Sequence, residues 1–333
     1  MKTDTYFEKQ NTRTRGWVRL DRLSGLCTLA LVLALTGITS VPAEAFDTNS
    51  PQTGTPQTQL VSINRTGTNG GNDSSGTPVL SGDGRFVAFA SFASDLVARD
   101  TNGTNDVFVR DLQTETTTLV SVNLSGTDSG NGASSTRDRD RIPGVSAPDT
   151  PALSADGRFV AFTSWASDLV ANDNNGQMDV FVRDLQTGTT TLASVNLAGT
   201  GSGTGSSFGL ALSADGRFIA FVSDASDLVA SDTNEEFDVF VRDLQTGTTT
   251  LVSVNKAGTN SGNGRSGAHM LSADGRFVAF ASFASDLVAR DTNGTDDVFV
   301  RDLQTGTTTL VSVNKAGTNS GNGYSVYPQL SAD

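Results

Sequence analysis

The stretch "LSADGRFVAF", Leu153–Phe162, decides the reading of this chain, because the chain repeats it. It returns at Leu271, at Leu212 with Ile219 in place of Val, and at Leu80 as "LSGDGRFVAF". A second phrase, "LVSVN" or a close variant, ends at Asn64, Asn123, Asn196, Asn255 and Asn314, and the last three of these lie 59 residues apart. One 59-residue unit therefore recurs. A single 14-residue insertion, between Ala133 and Thr150, interrupts the period. Self-similarity at a fixed period of this size belongs to solenoids, propellers and arrays.

Each unit reads as four β-strands joined in sequence. In the last complete unit they are His269–Ser272, Arg276–Ser282, Asp297–Leu303 and Thr308–Asn314. Asp274-Gly275 predicts a tight hairpin with both residues at positive φ. On "RFVAFAS", Phe277, Ala279 and Ala281 point one way and Val278 and Phe280 the other, so both faces are apolar. A sheet with one wet face would alternate apolar and polar residues. Two apolar faces need two covers. The expected fold is therefore all-β, a β-propeller of four-stranded antiparallel blades, with a β-sandwich as the alternative. Four full blades are expected, at about 77–123, 151–196, 210–255 and 269–314. Partial strands are expected at both ends, at 60–64 and 328–333. The full ring is left open between a truncated or assembling array and a four-blade ring with loose ends.

The pattern P-x-L-S-x-D-G-R-F-V-A-F followed by D-V-F-V-R-D-L-Q-T-G resembles the TolB-like propeller repeat, a relative of WD-type repeats. The proline stands at Pro78, Pro151 and Pro328, with Leu210 and His269 in its place elsewhere. The resemblance covers Leu60 to Asp333 and implies a propeller. Propellers of this kind serve many functions.

The N-terminus carries Lys2, Lys9, Arg13, Arg15, Arg19 and Arg22, then the uncharged run Gly25–Ile38, then Ala43 and Ala45 in a small-residue cleavage pattern. This reads as a secretory signal peptide over 1–45, with an uncleaved anchor as the alternative. Residues 46–59, rich in Thr, Gln and Pro, read as a flexible linker. Cleavage would remove Cys27, the only cysteine, so no disulfide is expected despite export. The expected location is the periplasm or the cell exterior, with no membrane span after cleavage. The net charge of −13 repels nucleic acid and anionic lipid.

Catalytic residues are not evident. His269 is the only histidine, and no G-x-S-x-G elbow occurs. The glycine run Gly199–Gly205 lies between strands and lacks the helix N-terminus of a phosphate cradle. Near-identical blades argue against an asymmetric active site. Only the insertion, with Arg137, Asp138, Arg139, Asp140 and Arg141, breaks the pattern as a unique surface.

One constellation recurs, D-x-N-x-x-x-D: Asp100, Asn102, Asp106; Asp173, Asn175, Asp179; Asp232, Asn234, Asp238; Asp291, Asn293, Asp297. Hard oxygen ligands at alternate positions resemble the start of a calcium loop. The competing reading is that Asp and Asn here simply cap turns. Asp111 and Asp302, in the twelfth position of such loops, are set apart by an intervening strand. Asp95 and its copies are expected to be structural, with Arg85 or Arg110 as candidate partners. The expected function is an exported, non-enzymatic scaffold for a protein or other extracytoplasmic macromolecule. A calcium-stabilised surface array and a propeller accessory to a hydrolase are the alternatives.

Overall fold

The computed structural model describes residues 58–135 and 150–331. The segments expected to be a signal peptide and most of a linker, the Arg137–Arg141 stretch and the last two residues lie outside them. The described chain is all β: sixteen strands in four antiparallel four-stranded sheets, each a simple meander. Blade one holds β1 (Ser75–Leu80), β2 (Phe86–Ser91), β3 (Asp106–Asp111) and β4 (Thr116–Leu119). Blade two holds β5 (Ala152–Leu153), β6 (Phe159–Ser164), β7 (Asp179–Asp184) and β8 (Thr189–Leu192). Blade three holds β9 (Ser207–Leu212), β10 (Phe218–Ser223), β11 (Asp238–Asp243) and β12 (Thr248–Leu251). Blade four holds β13 (Ser266–Leu271), β14 (Phe277–Ser282), β15 (Asp297–Asp302) and β16 (Thr307–Leu310). First strands approach one another, β5 with β9 and β9 with β13, as the inner strands of a propeller do.

Both faces of each middle blade are covered, as the sequence requires. Ala88, Val107, Val109 and Val120 of blade one meet Val160, Phe162, Phe181 and Leu192 of blade two. The same small face of blade two meets Ile219, Phe221, Phe240 and Leu251 of blade three, and blade three repeats the contact with blade four. Inside each blade the cross-strand phenylalanines stack, as Phe162 and Phe181 do at 5.8 Å. Small-on-large packing of this kind lets the side chains of facing sheets interdigitate.

The inner turns differ from the expected two-residue hairpin. Gly84 donates to the Ser81 carbonyl, and only the glycine takes positive φ, at 74°. Asp83 accepts from the Ser81 hydroxyl and from the Arg85 amide, which fixes the turn locally. These turns also link the blades. Gly82 donates to Ala155, Ala155 to Ala214, and Ala214 to Ala273, each at 2.8–2.9 Å, so one backbone chain runs around the inner edge. The next glycine fills a second role. A Cβ on Gly157 would meet the Phe86 ring at 2.1 Å, on Gly216 the Phe159 ring at 2.3 Å, and on Gly275 the Phe218 ring at 2.2 Å.

Two further expectations are corrected. Neither end segment forms a strand. Leu60–Asn64 makes only the Ile63–Gly70 bridge, and Pro328–Ser331 has no ladder, because neither has the middle strands of a sheet beside it. Val61 nonetheless packs against the blade-one cluster that holds Phe89 and Phe108, where the later blades receive Val120, Ala193 and Val252 from the blade before. Blade two's first strand is also short, reduced to Ala152–Leu153 plus a Ser134–Ser164 bridge. In blades one, three and four this strand carries a bulge, between Gly76 and Val79, between Phe208 and Ala211 and between Gly267 and Met270. A bulge leaves a residue out of the ladder, so the insertion departs where little pairing is lost.

Gly216→Ala should lower stability by about 2–5 kcal/mol, from left-handed strain plus overpacking against Phe159. Gly176→Ala has the same strain with open space around it and should cost only about 1–2 kcal/mol. Urea melts of the two variants check the contrast.

Candidate functional site

The meander places tight turns at one end of the propeller and all long loops at the other. The β2–β3 loop and the β4–β5 connection, with their copies, form this loop-bearing end. Each blade sets a pair of aspartates there. Asp100 lies in the β2–β3 loop and Asp106 opens β3, and both are buried, at 5% and 0% exposure. The pairs Asp173/Asp179, Asp232/Asp238 and Asp291/Asp297 repeat the arrangement. The carboxyl groups of each pair lie close together: Asp100, Asp173 and Asp232 act electrostatically on Asp106, Asp179 and Asp238, and Asp297 acts on Asp291.

The second aspartate is anchored on one oxygen only. Ser121, just after β4, donates to Asp106 at 2.5 Å and accepts from the Val107 amide at 3.0 Å. Ser194 and Ser312 do the same for Asp179 and Asp297 at 2.5 Å, and Ser253 for Asp238. The other oxygen of each of these four aspartates, Oδ2, is buried without a partner. Both carboxylate oxygens of Asp100, Asp232 and Asp291 are equally orphaned. Asp173 alone is partly satisfied, by Ser202 at 3.3 Å.

The asparagines act as loop brackets. Asn102 donates to the Gly130 carbonyl at 2.8 Å and accepts from the Thr104 amide at 2.9 Å. Asn175, Asn234 and Asn293 repeat both contacts. Ser129, Ser202, Ser261 and Ser320 take backbone amides of the same loops. Sequence reasoning missed these two serines of each unit. Their signal was a serine fixed in every "LVSVN" and in the "SG" step after it.

Burial pushes up Asp100, Asp106, Asp173, Asp179, Asp232, Asp238 and Asp291. Asp106 and Asp179 rise to about 7 and Asp238 to about 8, each mainly by desolvation, with the neighbouring aspartate adding to it. Asp100 rises to about 6 for the same reason, with Asp128 adding to it. The salt bridges among the described residues lie elsewhere. Arg85, Arg158, Arg217 and Arg276 clamp Asp111, Asp184, Asp243 and Asp302, and each guanidinium also covers its neighbouring phenylalanine. The arginine beside Asp111 holds that carboxyl well below the usual range. Asp95 pairs with neither Arg85 nor Arg110; it accepts the Asn72 amide at 2.9 Å and joins two loops.

His269 lies in β13 among buried residues, and burial pushes it down to about 4, so it is neutral. Its polar neighbour is the Ala220 backbone, and no nucleophile is paired with it. The Gly199–Gly205 run packs on the next blade, where a Cβ on Gly203 would strike Leu228 at 2.7 Å. The same loop-bearing end exposes large side chains at one repeat position, the residue after each second strand: Phe92 at 50%, Trp165 at 45% and Phe283 at 44%. Blade three has Asp224 there, capping the Ser206 amide. Among the described residues no group of three or more His, Cys, Asp or Glu converges on one point, and no helix is long and apolar enough to cross a membrane.

No family model and no curated protein matches the chain. Solved structures do. TolB from Acinetobacter baumannii is 20% identical at a TM-score of 0.40, over 72% of this chain and 43% of that one. A TolB-type protein from Agrobacterium tumefaciens is 17% identical at 0.41, over 72% and 62%. The β-propeller domain of the Trilobed protease from Pyrococcus furiosus, described as having an open velcro topology, is 12% identical at 0.41, over 72% and 57%. The chain thus spans less than two thirds of each of these structures, and at such identities a likeness concerns the fold alone.

The buried pairs set a pH dependence. An acid whose folded pKa is raised gives the folded state extra protons, so its stabilising effect is present below about pH 4 and is lost as pH rises through about 7–8. In chelator, the melting temperature should therefore fall between pH 5.5 and pH 8.5. Asp238→Asn should be more stable than the parent at pH 8.5, by about 1–3 kcal/mol. Thermal melts across that range check both.

Proposed function

We propose that the chain is an exported, non-enzymatic propeller scaffold that binds a protein or another extracytoplasmic macromolecule at its loop-bearing end, in the periplasm or outside the cell. One observation carries this reading: Phe92, Trp165 and Phe283 stand half exposed at equivalent positions of three blades on one end of the propeller. Isolated exposed apolar residues are ordinary, but aromatics repeated on one surface supply rigid contact area of the kind that dominates binding. Arg265 flanks Phe283 at 5.1 Å and is held by Asp296 at 3.0 Å, so a charged group borders the apolar ring. The acidic chain and its leader-like N-terminus support export.

The near identity of the blades supports a scaffold over an enzyme. Each buried polar cluster recurs in all four blades, whereas acid–base catalysis needs groups in distinct roles at one place. His269, the one residue that departs from its repeat toward chemistry, is buried and neutral.

With Trp17, the other tryptophan, replaced by phenylalanine, the emission of Trp165 reports on this surface. Envelope extract fractions that bind the full chain should shift that emission. The triple variant F92A/W165A/F283A should retain the parental melting temperature and lose at least tenfold in affinity, measured on an immobilised chain. Hydrolase or lyase activity abolished by His269→Ala would overturn the scaffold reading.

A further inference from the structure

We infer that each blade holds a calcium site between its paired aspartates, Asp100/Asp106, Asp173/Asp179, Asp232/Asp238 and Asp291/Asp297. The two side chains of each pair are more than nine-tenths buried. The two stand six residues apart, one in a loop and one at the start of a strand. Each keeps at least one buried carboxylate oxygen without a hydrogen-bond partner, and the two carboxyl groups are near enough to act on each other electrostatically. Buried ionised carboxylates are strongly unfavourable unless paired or metal-bound. Among the described residues no arginine or lysine forms a salt bridge with any of these eight aspartates: the ion pairs are made by Asp111, Asp184, Asp243, Asp302 and Asp296.

The donor chemistry selects the cation. Every candidate ligand is oxygen: two carboxylates, and in blades one and four the buried hydroxyls of Thr104 and Thr295 in the same loop, which also lack partners. No nitrogen or sulfur ligand stands nearby, which disfavours zinc and copper. Two carboxylates balance a divalent charge. Calcium accepts irregular sets of carboxylate, hydroxyl, carbonyl and water oxygens, whereas magnesium demands near-octahedral order. Neither Asn102 nor its copies need be ligands, since their amides already bracket the loop.

Asp100 belongs to the β2–β3 loop, Asp106 to the start of β3, and Ser121, bonded to Asp106, to the exit from β4. A cation there would join the two loops that build the loop-bearing end. It would brace the surface on which Phe92, Trp165 and Phe283 stand, but its presence does not depend on that surface binding anything.

The alternative occupant of each pair is a proton, and titration of the full chain with calcium chloride separates the two. Calorimetry at pH 7.5 on chelator-stripped protein should give about four sites per chain, proton release on binding, and a melting temperature raised by calcium and returned by chelator. Binding should weaken more than tenfold at pH 5.5. Asp238→Asn should lose one site of the four, and D106N/D179N/D238N/D297N should lose all of them while still folding with the parental β spectrum. Equal magnesium should raise the melting temperature less. No heat and no melting shift at millimolar calcium would overturn the inference. So would undiminished stoichiometry in the quadruple variant, which would assign the binding to surface acids.

Discussion

A sheet that is apolar on both faces cannot rest in water, and everything in this molecule follows from covering it twice. Each blade offers a small face of alanine and valine to the next blade and a large face of phenylalanine, leucine and a β-branched residue to the one before. At roughly 25 cal/mol per Å² of apolar surface, such interfaces carry most of the stability of a repeat array. Blade four has no further blade packed on its small face among the described residues. Val120 and Val252 are fully buried, while their counterpart Val311 is 51% exposed.

The polar features are arranged around that packing. The arginine–aspartate clamps sit at the tight-turn end, where they join neighbouring strands of one blade. Bidentate geometry and the phenylalanine beneath each guanidinium make them stronger than ordinary surface pairs. The aspartate pairs sit at the opposite end, inside the loops. One end of every blade is thus closed by a satisfied ion pair, and the other by carboxylates whose charge is unbalanced within the chain.

Much of this was legible in the residues. The period, the four blades, the strand order and the two apolar faces all follow from the repeated "GRFVAF" and "DVFVRDL". The aspartates of D-x-N-x-x-x-D were also singled out, and the structure brings them together in every blade. What could not be read was depth. Asp100 stands in a polar loop of Thr, Asn and Gly, and nothing local says that the loop folds inward. The partners of Asp106 and Asp95 lie 15 and 23 residues away, across strands or loops. The turn failed for a different reason. Asp-Gly favours two positive φ values in isolation, but Ser81 and Asp83 build a longer turn that spares the aspartate. The end segments failed because a strand is a property of its neighbours as well as of its sequence.

The glycine beneath each inner turn has a consequence for the lineage of the chain. Gly157, Gly216 and Gly275 each fit a ring on the blade before, never one on their own blade. The matching pieces therefore reside in different copies of the unit, and any copy can follow any other. Duplicating or deleting one 59-residue unit by unequal recombination leaves each surviving junction chemically unchanged, whereas drift in a single copy spoils the fit at its borders.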